Sequence, residues 1–141
     1  MSADLERAKE ILAQTGSTCV LCRGEELIRC RQRGVVPLLE LLDRRGQLRG
    51  FSAADRVVGK AAAMLYVQLD VTAVYAEVIS QPALEVLRQY GIRAEYLQCV
   101  EAIRNRTDTG NCPMETAVLA LNDPALAEVA IREKLLQLKK E

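Results

Sequence analysis

Cys112 is the side chain of this sequence best suited to nucleophilic chemistry. It follows a polar, glycine-containing loop and opens a predicted helix in the segment Cys112-Pro113-Met114-Glu115. The unpaired N–H groups at a helix start favour the thiolate, which is the reactive form of cysteine. Glu115, three residues later, could move protons beside that thiol. The alternative is a small residue at an ordinary helix start, with Glu115 completing the cap.

Histidine does not occur in the chain. Its absence removes imidazole acid–base catalysis, the Ser-His and Cys-His nucleophile pairs, and every metal site that contains histidine. The five cysteines are an odd number, so free thiols are the simplest account. Cys19 and Cys22 lie three apart in a predicted strand and face opposite sides of it, so they cannot share one metal ion. With Cys30 and Cys99 also predicted as buried strand residues, we expect no metal and no cofactor.

Lys60 is the strongest candidate for binding negative charge. It lies between Gly59 and three alanines in residues 52–66, which predict a buried helix. A lysine there has to pair, reach solvent or face a cavity, so Lys60 either binds a phosphate or is a paired structural lysine. Gly59 costs a helix interior about 1 kcal/mol relative to alanine, which indicates close packing or the approach of a ligand.

Asp55 and several small polar residues complete the candidate site. Ser52-Ala53-Ala54-Asp55 fits a capping box, and in an enzyme Asp55 would instead move protons. Ser52 and Ser80 are each predicted to cap a helix, and both could present hydroxyls to a ligand. Thr109, Gly110 and Asn111 belong to a polar loop that either surrounds an anion or makes an ordinary turn.

The elements that must position these residues alternate between helix and strand. Residues 17–30 predict an antiparallel hairpin with a turn at 23–25. Helices are predicted over 3–14, 37–43, 52–66, 80–90 and 124–139, with a further helix starting at 112, and strands over 71–76 and 94–100. Strands joined through helices favour a sheet with parallel members. We expect an α/β fold, a three-layer α-β-α sandwich with a mixed sheet and a β-hairpin, in one domain spanning residues 1–141.

Composition limits the partners of the protein. Half of the 141 residues are apolar, and 19 basic residues balance 19 acidic ones. The neutral balance provides no field that would favour nucleic acid, and it leaves homodimer formation unopposed. No apolar stretch approaches the ~20 residues that cross a bilayer, and the charged N-terminus does not resemble a signal peptide. We therefore expect a cytoplasmic protein with no nucleic-acid or membrane partner.

Two stretches carry a resemblance to a known family. They are Ser52-Ala53-Ala54-Asp55-Arg56-Val57-Val58-Gly59-Lys60-Ala61-Ala62-Ala63 and Thr109-Gly110-Asn111-Cys112-Pro113-Met114-Glu115. They resemble those of an uncharacterised domain-of-unknown-function family of the cytidine-deaminase-like superfamily, and the element order over residues 3–121 is similar too. Zinc deaminases carry His-x-Glu and Pro-Cys-x-x-Cys at two helix starts. Here those positions fall on residues 54–56 and 80–84, which contain no His, Glu or Cys. The resemblance thus implies the fold without its zinc site.

That fold implies a crevice where two helix starts meet the carboxyl ends of the central strands. Such a crevice suits an anion or a polarised carbonyl group. We expect residues 52–60, Ser80 and residues 107–115 to form it and to bind a nucleotide-like or phosphorylated small molecule. Two alternatives stay open: a zinc-independent thiol enzyme with Cys112 as nucleophile, and a partner-binding or purely structural domain.

Overall fold

A five-stranded mixed sheet forms the centre of the molecule. The computed structural model describes residues 3–32, 34–103 and 112–139. The strands are β1 (Cys19–Arg23), β2 (Glu26–Cys30), β3 (Ser52–Val58), β4 (Ala73–Ser80) and β5 (Arg93–Val100). Their order across the sheet is β2-β1-β3-β4-β5. Strand β1 is antiparallel to β2 and β3, whereas β3, β4 and β5 run parallel. The predicted α/β class, the mixed sheet and the hairpin are therefore confirmed.

Helices cover both faces of this sheet. They are α1 (Ala3–Gln14), α2 (Val36–Leu42), α3 (Lys60–Leu69), α4 (Gln81–Gln89), α5 (Pro113–Val118) and α6 (Pro124–Lys139), with a 3₁₀ turn at Arg45–Gln47. Helix α1 packs on β1, β3 and β4, and α3 lies among α2, α4, α5 and α6 on the opposite face. No helix within the described ranges is long and apolar enough to cross a membrane.

Each face of the sheet has its own hydrophobic core. Cys19 and Leu21 of β1 point into the larger core around α3, while Val20 and Cys22 point into the smaller core under α1. This alternation follows from the two-residue period of a strand. It confirms that Cys19 and Cys22 face opposite sides.

One predicted element is wrong, and it carries several candidate residues. Ser52 does not cap a helix, because residues 52–58 form the central strand β3 and the helix begins only at Lys60. Most of strand β3 is covered on both faces, and its sequence Ser-Ala-Ala-Asp-Arg-Val-Val lacks the alternation of polar and apolar residues that identifies a strand. Asp55 is accordingly no capping-box acid: it lies in the sheet, opposite Cys19 on β1 and Ala76 on β4.

Candidate functional site

A cavity of about 380 Å³ opens beside the carboxyl end of β3. Open α/β sheets bind their ligands at this end of the strands. Strand β1, the segment that leads into α2, the first turn of α3 and the start of α5 all contribute to its wall. The residues lining it are Thr18, Cys19, Gly34, Val35, Pro37, Leu38, Asp55, Arg56, Val57, Gly59, Ala61, Ala62, Ile103, Cys112, Met114 and Glu115. The cavity thus brings together Asp55, Cys112 and Glu115, the three candidate catalytic residues.

Asp55 is the carboxylate of the cavity wall with the most altered chemistry. Its Oδ2 accepts a hydrogen bond of 2.7 Å from the Tyr66 hydroxyl. Burial raises the pKa of Asp55 to about 6, against the opposing effect of the Tyr66 hydrogen bond. Burial also raises the pKa of Tyr66, so this phenol stays a proton donor. A carboxyl group that titrates near neutral pH in a cavity wall is typical of a functional site.

Tyr66 also connects Asp55 to a thiol. The Tyr66 hydroxyl lies 3.3 Å from Cys19 Sγ, and its ring is completely buried on α3. Cys19 stands directly opposite Asp55 in the sheet, so both side chains project from the same face toward α3. A continuous chain of polar contacts therefore leads from Cys19 through Tyr66 to Asp55.

Glu115 caps the start of α3 from the neighbouring helix α5. Its carboxylate accepts hydrogen bonds from the backbone N–H groups of Lys60, at 2.6 Å, and Ala61, at 2.8 Å. These donors have no partner inside their own helix, and they form the positive end of its dipole. The structure thus places a carboxylate of the protein itself where an anionic ligand of α3 would bind. Glu115 has the capping role that the sequence allowed, but it caps a different helix from its own.

The Glu115 carboxylate explains why residue 59 is a glycine. Its backbone, at φ −96° and ψ −178°, is extended and open to any residue. A Cβ added to Gly59 would, however, overlap the Glu115 carboxyl group. The close packing that the sequence indicated at Gly59 is therefore packing against Glu115.

Lys60 is a paired structural lysine in this structure. Its Nζ donates a hydrogen bond of 2.9 Å to the backbone carbonyl of Leu119, just after α5. The residue is buried and is not among those that line the cavity. Phosphate binding by Lys60 would require this amine to leave its carbonyl partner.

Cys112 lies in the cavity wall directly before α5. Its backbone N–H donates to the carbonyl of Ile103 at 3.0 Å, and its own carbonyl accepts from the N–H of Thr116. Cys112 is the N-cap residue of α5, which has only six residues. Cys112 lines the same cavity as Asp55 and Glu115, and its nucleophilic role stays a prediction.

Of the remaining candidates, Ser52 and Ser80 do not line the cavity. Ser80 caps α4, as predicted, by accepting a hydrogen bond of 3.2 Å from the N–H of Ala83, and it is completely buried. Ser52 is buried at the first residue of β3, the end remote from the cavity. Thr109, Gly110 and Asn111 lie outside the described residues.

Arg56 was missed as a structural anchor of the cavity wall. Its guanidinium donates to the carbonyls of Leu12, Thr15 and Ser17, at 2.6, 3.0 and 3.1 Å. It also pairs with Glu77 at 2.7 Å. These bonds hold the end of α1 to the sheet, and they leave the guanidinium of Arg56 bonded to α1, the segment after it and Glu77. A strand arginine gives no sequence signal for such distant carbonyl partners.

Within the part of the chain that the structure describes, no set of side chains is placed to bind a metal ion. No group of three or more Cys, Asp or Glu side chains there is arranged to hold a metal ion. The described residues of the cavity wall include two carboxylates, two thiols, Arg56 and Thr18, and the rest are mostly apolar.

Comparisons with known proteins agree with this fold and add no activity. Residues 7–135 match the family model described as TM1506, a domain of unknown function (DUF1893). A crystal structure of a DUF1893 family protein from Thermotoga maritima is similar, with a TM-score of 0.84 and 29% sequence identity. That match covers 97% of this chain and 92% of the other. No curated protein matches the chain. Because the family model spans most of its length, the chain belongs to the DUF1893 family.

Proposed function

We propose that the cavity binds a small, largely apolar molecule that carries N–H or O–H donors, of the nucleobase or nucleoside class, with Asp55 as its acceptor. The observation that carries this proposal is a carboxyl group of raised pKa in the wall of an otherwise mainly apolar cavity. Its volume of about 380 Å³ falls in the range of roughly 300–1,000 Å³ that is usual for ligand pockets. Apolar walls supply affinity, and a few polar groups fix orientation.

A phosphate is a less suitable part of the ligand than a neutral ring. The N–H groups at the start of α3 already bind the Glu115 carboxylate, and the Lys60 amine already binds the Leu119 carbonyl. The Asp55 and Glu115 carboxylates would repel a further negative charge in the same cavity. A nucleotide would therefore bind through its base or sugar and leave its phosphate outside.

The proposal includes a fold of the cytidine-deaminase-like group without zinc. The succession of α1, the β1–β2 hairpin, α2, β3, α3, β4, α4 and β5, with the strand order β2-β1-β3-β4-β5, supports it. Residues 54–56, where the resemblance expects the lost His-x-Glu motif, lie in strand β3, and Asp55 and Arg56 line the cavity. Asp55 and Glu115 would then provide the polar groups of a site that works without a metal ion.

Ligand-induced thermal stabilisation tests this function. We would measure the melting temperature with nucleobases, nucleosides, the matching nucleotides and inorganic phosphate, for the native chain, Asp55→Asn and Asp70→Asn. Asp70 is a suitable control because it is exposed on the loop after α3 and its backbone, at φ 60°, also tolerates asparagine. We expect neutral ring compounds to stabilise the native chain and Asp70→Asn but not Asp55→Asn. Stabilisation by inorganic phosphate alone would contradict the proposal.

A thiol-dependent reaction at Cys112 is the second candidate function. It is favoured by one observation, that Cys112 shares the cavity wall with Asp55. Asp55 would then accept the proton while Cys112 attacks a carbonyl or imine-like carbon, since Glu115 is engaged at α3. Covalent labelling of Cys112 by a small electrophile, slowed by Asp55→Asn, would support this reaction. Absence of any ligand or adduct, together with a stable complex with another protein, would favour a partner-binding domain instead.

A further inference from the structure

Cys19 and Cys30 are directly opposed across the β1–β2 hairpin. Opposed residues of antiparallel strands have Cα atoms about 4.5–5.5 Å apart, inside the range of roughly 4.4–6.8 Å that a disulfide spans. Their side chains project from the same face of the hairpin, and both thiols are free. The hairpin therefore holds two thiols where a disulfide can form with little backbone movement.

The two thiols differ in chemistry. Interaction with the opposed thiol raises the pKa of Cys19 and lowers the pKa of Cys30. Cys19 is only 3% exposed and also contacts the Tyr66 hydroxyl, which donates to Asp55. Cys30 is partly exposed. Cys30 is therefore suited to attack from solvent, and Cys19 to follow with a path for its proton toward the Asp55 carboxylate.

A groove on the outer side of the hairpin gives access to Cys30. It has a volume of about 400 Å³ and lies between β2 and α2. Arg29, Arg31 and Arg44 line it together with Cys30, and Glu40 is the opposing carboxylate. Among the described residues of this groove, three arginines against one glutamate give a net positive charge, which favours a small anionic molecule.

We propose that Cys19 and Cys30 form a reversible dithiol–disulfide centre that reacts with low-molecular-weight disulfides carrying carboxylates. The Cys30 thiolate attacks one sulfur of the reagent, whose S–S bond breaks and releases one thiol. Cys19, losing its proton through Tyr66 to Asp55, then attacks the Cys30 sulfur and releases the second thiol. The protein dithiol is oxidised to one disulfide, and one reagent disulfide is reduced to two thiols. This centre does not depend on the proposed ligand binding.

Peptide mapping after treatment with oxidised glutathione tests the centre. Trypsin cleaves after Lys9, Arg23, Arg29 and Arg31, so Cys30 leaves in a dipeptide with Arg31. The peptide 10–23 contains both Cys19 and Cys22, so the experiment uses the full chain with Cys22→Ala, whose side chain lies in the opposite core. Remaining thiols are alkylated before digestion under non-reducing conditions. We expect peptide 10–23 to be linked to the dipeptide 30–31, and the link to disappear after reduction.

Two further variants assign the order of the steps. With Cys19→Ser added, Cys30 should accumulate as the glutathione mixed disulfide, because the second attack is lost. With Cys30→Ser, neither the adduct nor the link should form, whereas Cys99→Ser on β5 should change nothing. The Cys22→Ala result stands alone if Cys19→Ser does not fold. Glutathione spread over Cys99 and Cys112 without a 19–30 link would overturn the proposal, as would adduct formation on Cys19 in Cys30→Ser.

Discussion

The strongest structural prediction concerns the coupling between Gly59 and Glu115. Replacement of Glu115 by alanine removes a carboxylate that binds two N–H groups of α3, at 2.6 and 2.8 Å. Loss of a helix cap costs about 0.5–2 kcal/mol, and a hydrogen bond to a charged group has a net contribution of about 1.5–3 kcal/mol. We therefore expect Glu115→Ala to cost about 2 kcal/mol. For a chain of this size, that lowers the melting temperature by roughly 4–8 °C.

Gly59→Ala should cost a similar amount for the same reason. The new methyl group would displace the Glu115 carboxyl group, so both hydrogen bonds would be lost at once. In the Glu115→Ala background this overlap no longer exists, and only the preference of about 0.5–1 kcal/mol for glycine over alanine at a helix start remains. The two changes should thus be non-additive by about 1–2 kcal/mol.

Urea unfolding of the native chain, both single variants and the double variant measures this coupling. If the two costs simply add, to within about 0.5 kcal/mol, Glu115 does not cap α3 in solution and the account of Gly59 fails. The comparison needs no ligand and no assay of activity, so it tests the site in the protein as it is.

Three other variants follow from the same contacts. Above about pH 6, Asp55→Asn should be more stable than the native chain by about 1–2 kcal/mol. The reason is that folding raises the Asp55 pKa from 3.8 to about 6, so an ionised Asp55 destabilises the folded state. Between about pH 4 and pH 6 the folded native chain binds more protons than the unfolded chain, so its stability falls as pH rises through that window. Equal urea midpoints of the native chain and Asp55→Asn at about pH 7 would argue against the raised pKa. Arg56→Lys should lower stability by about 2 kcal/mol, since an amine cannot replace the forked bonds to three carbonyls and Glu77, and unchanged thermal unfolding would contradict this anchor. Lys60→Met should lower stability by about 1 kcal/mol or less and leave ligand-induced stabilisation unchanged. Loss of ligand-induced stabilisation in a variant of nearly native stability would instead show that Lys60 binds the ligand.

The periodic parts of the fold were predictable from the sequence. Helices α1 and α6 have the predicted ends, and α2 and α4 differ from prediction by one residue at each end. Their apolar residues recur at helical spacing, and Gly or Pro residues mark their limits. Alternation in the hairpin also placed Cys19 and Cys22 on opposite faces correctly.

Strand β3 was not predictable in the same way. A central strand covered on both faces has no polar side to alternate with, and its small residues also suit a buried helix. The error moved Asp55 from a helix cap to the sheet and hid its relation to Cys19. Once register is known, Cys30, Cys19 and Asp55 follow as neighbours in one row across three strands.

Three of the candidate residues lie together in the structure, but the sequence did not show their partners. Cys112, Glu115 and Asp55 were singled out for their chemistry and do line one cavity. The partners that determine their roles lie far along the chain: Glu115 binds N–H groups 54 and 55 residues away, and Lys60 binds a carbonyl 59 residues away. Spacing within a motif carries no information about such contacts.

An NMR titration with a nucleoside, followed by inorganic phosphate, tests the ligand proposal most directly. We predict that the nucleoside shifts the backbone amide signals of the cavity wall at Asp55, Val57, Ala62 and Met114, and that phosphate leaves the amide signals of Lys60 and Ala61 unchanged. Phosphate-induced shifts at Lys60 and Ala61, with no nucleoside effect at Asp55, would mean that the start of α3 is an open anion site and would contradict the account.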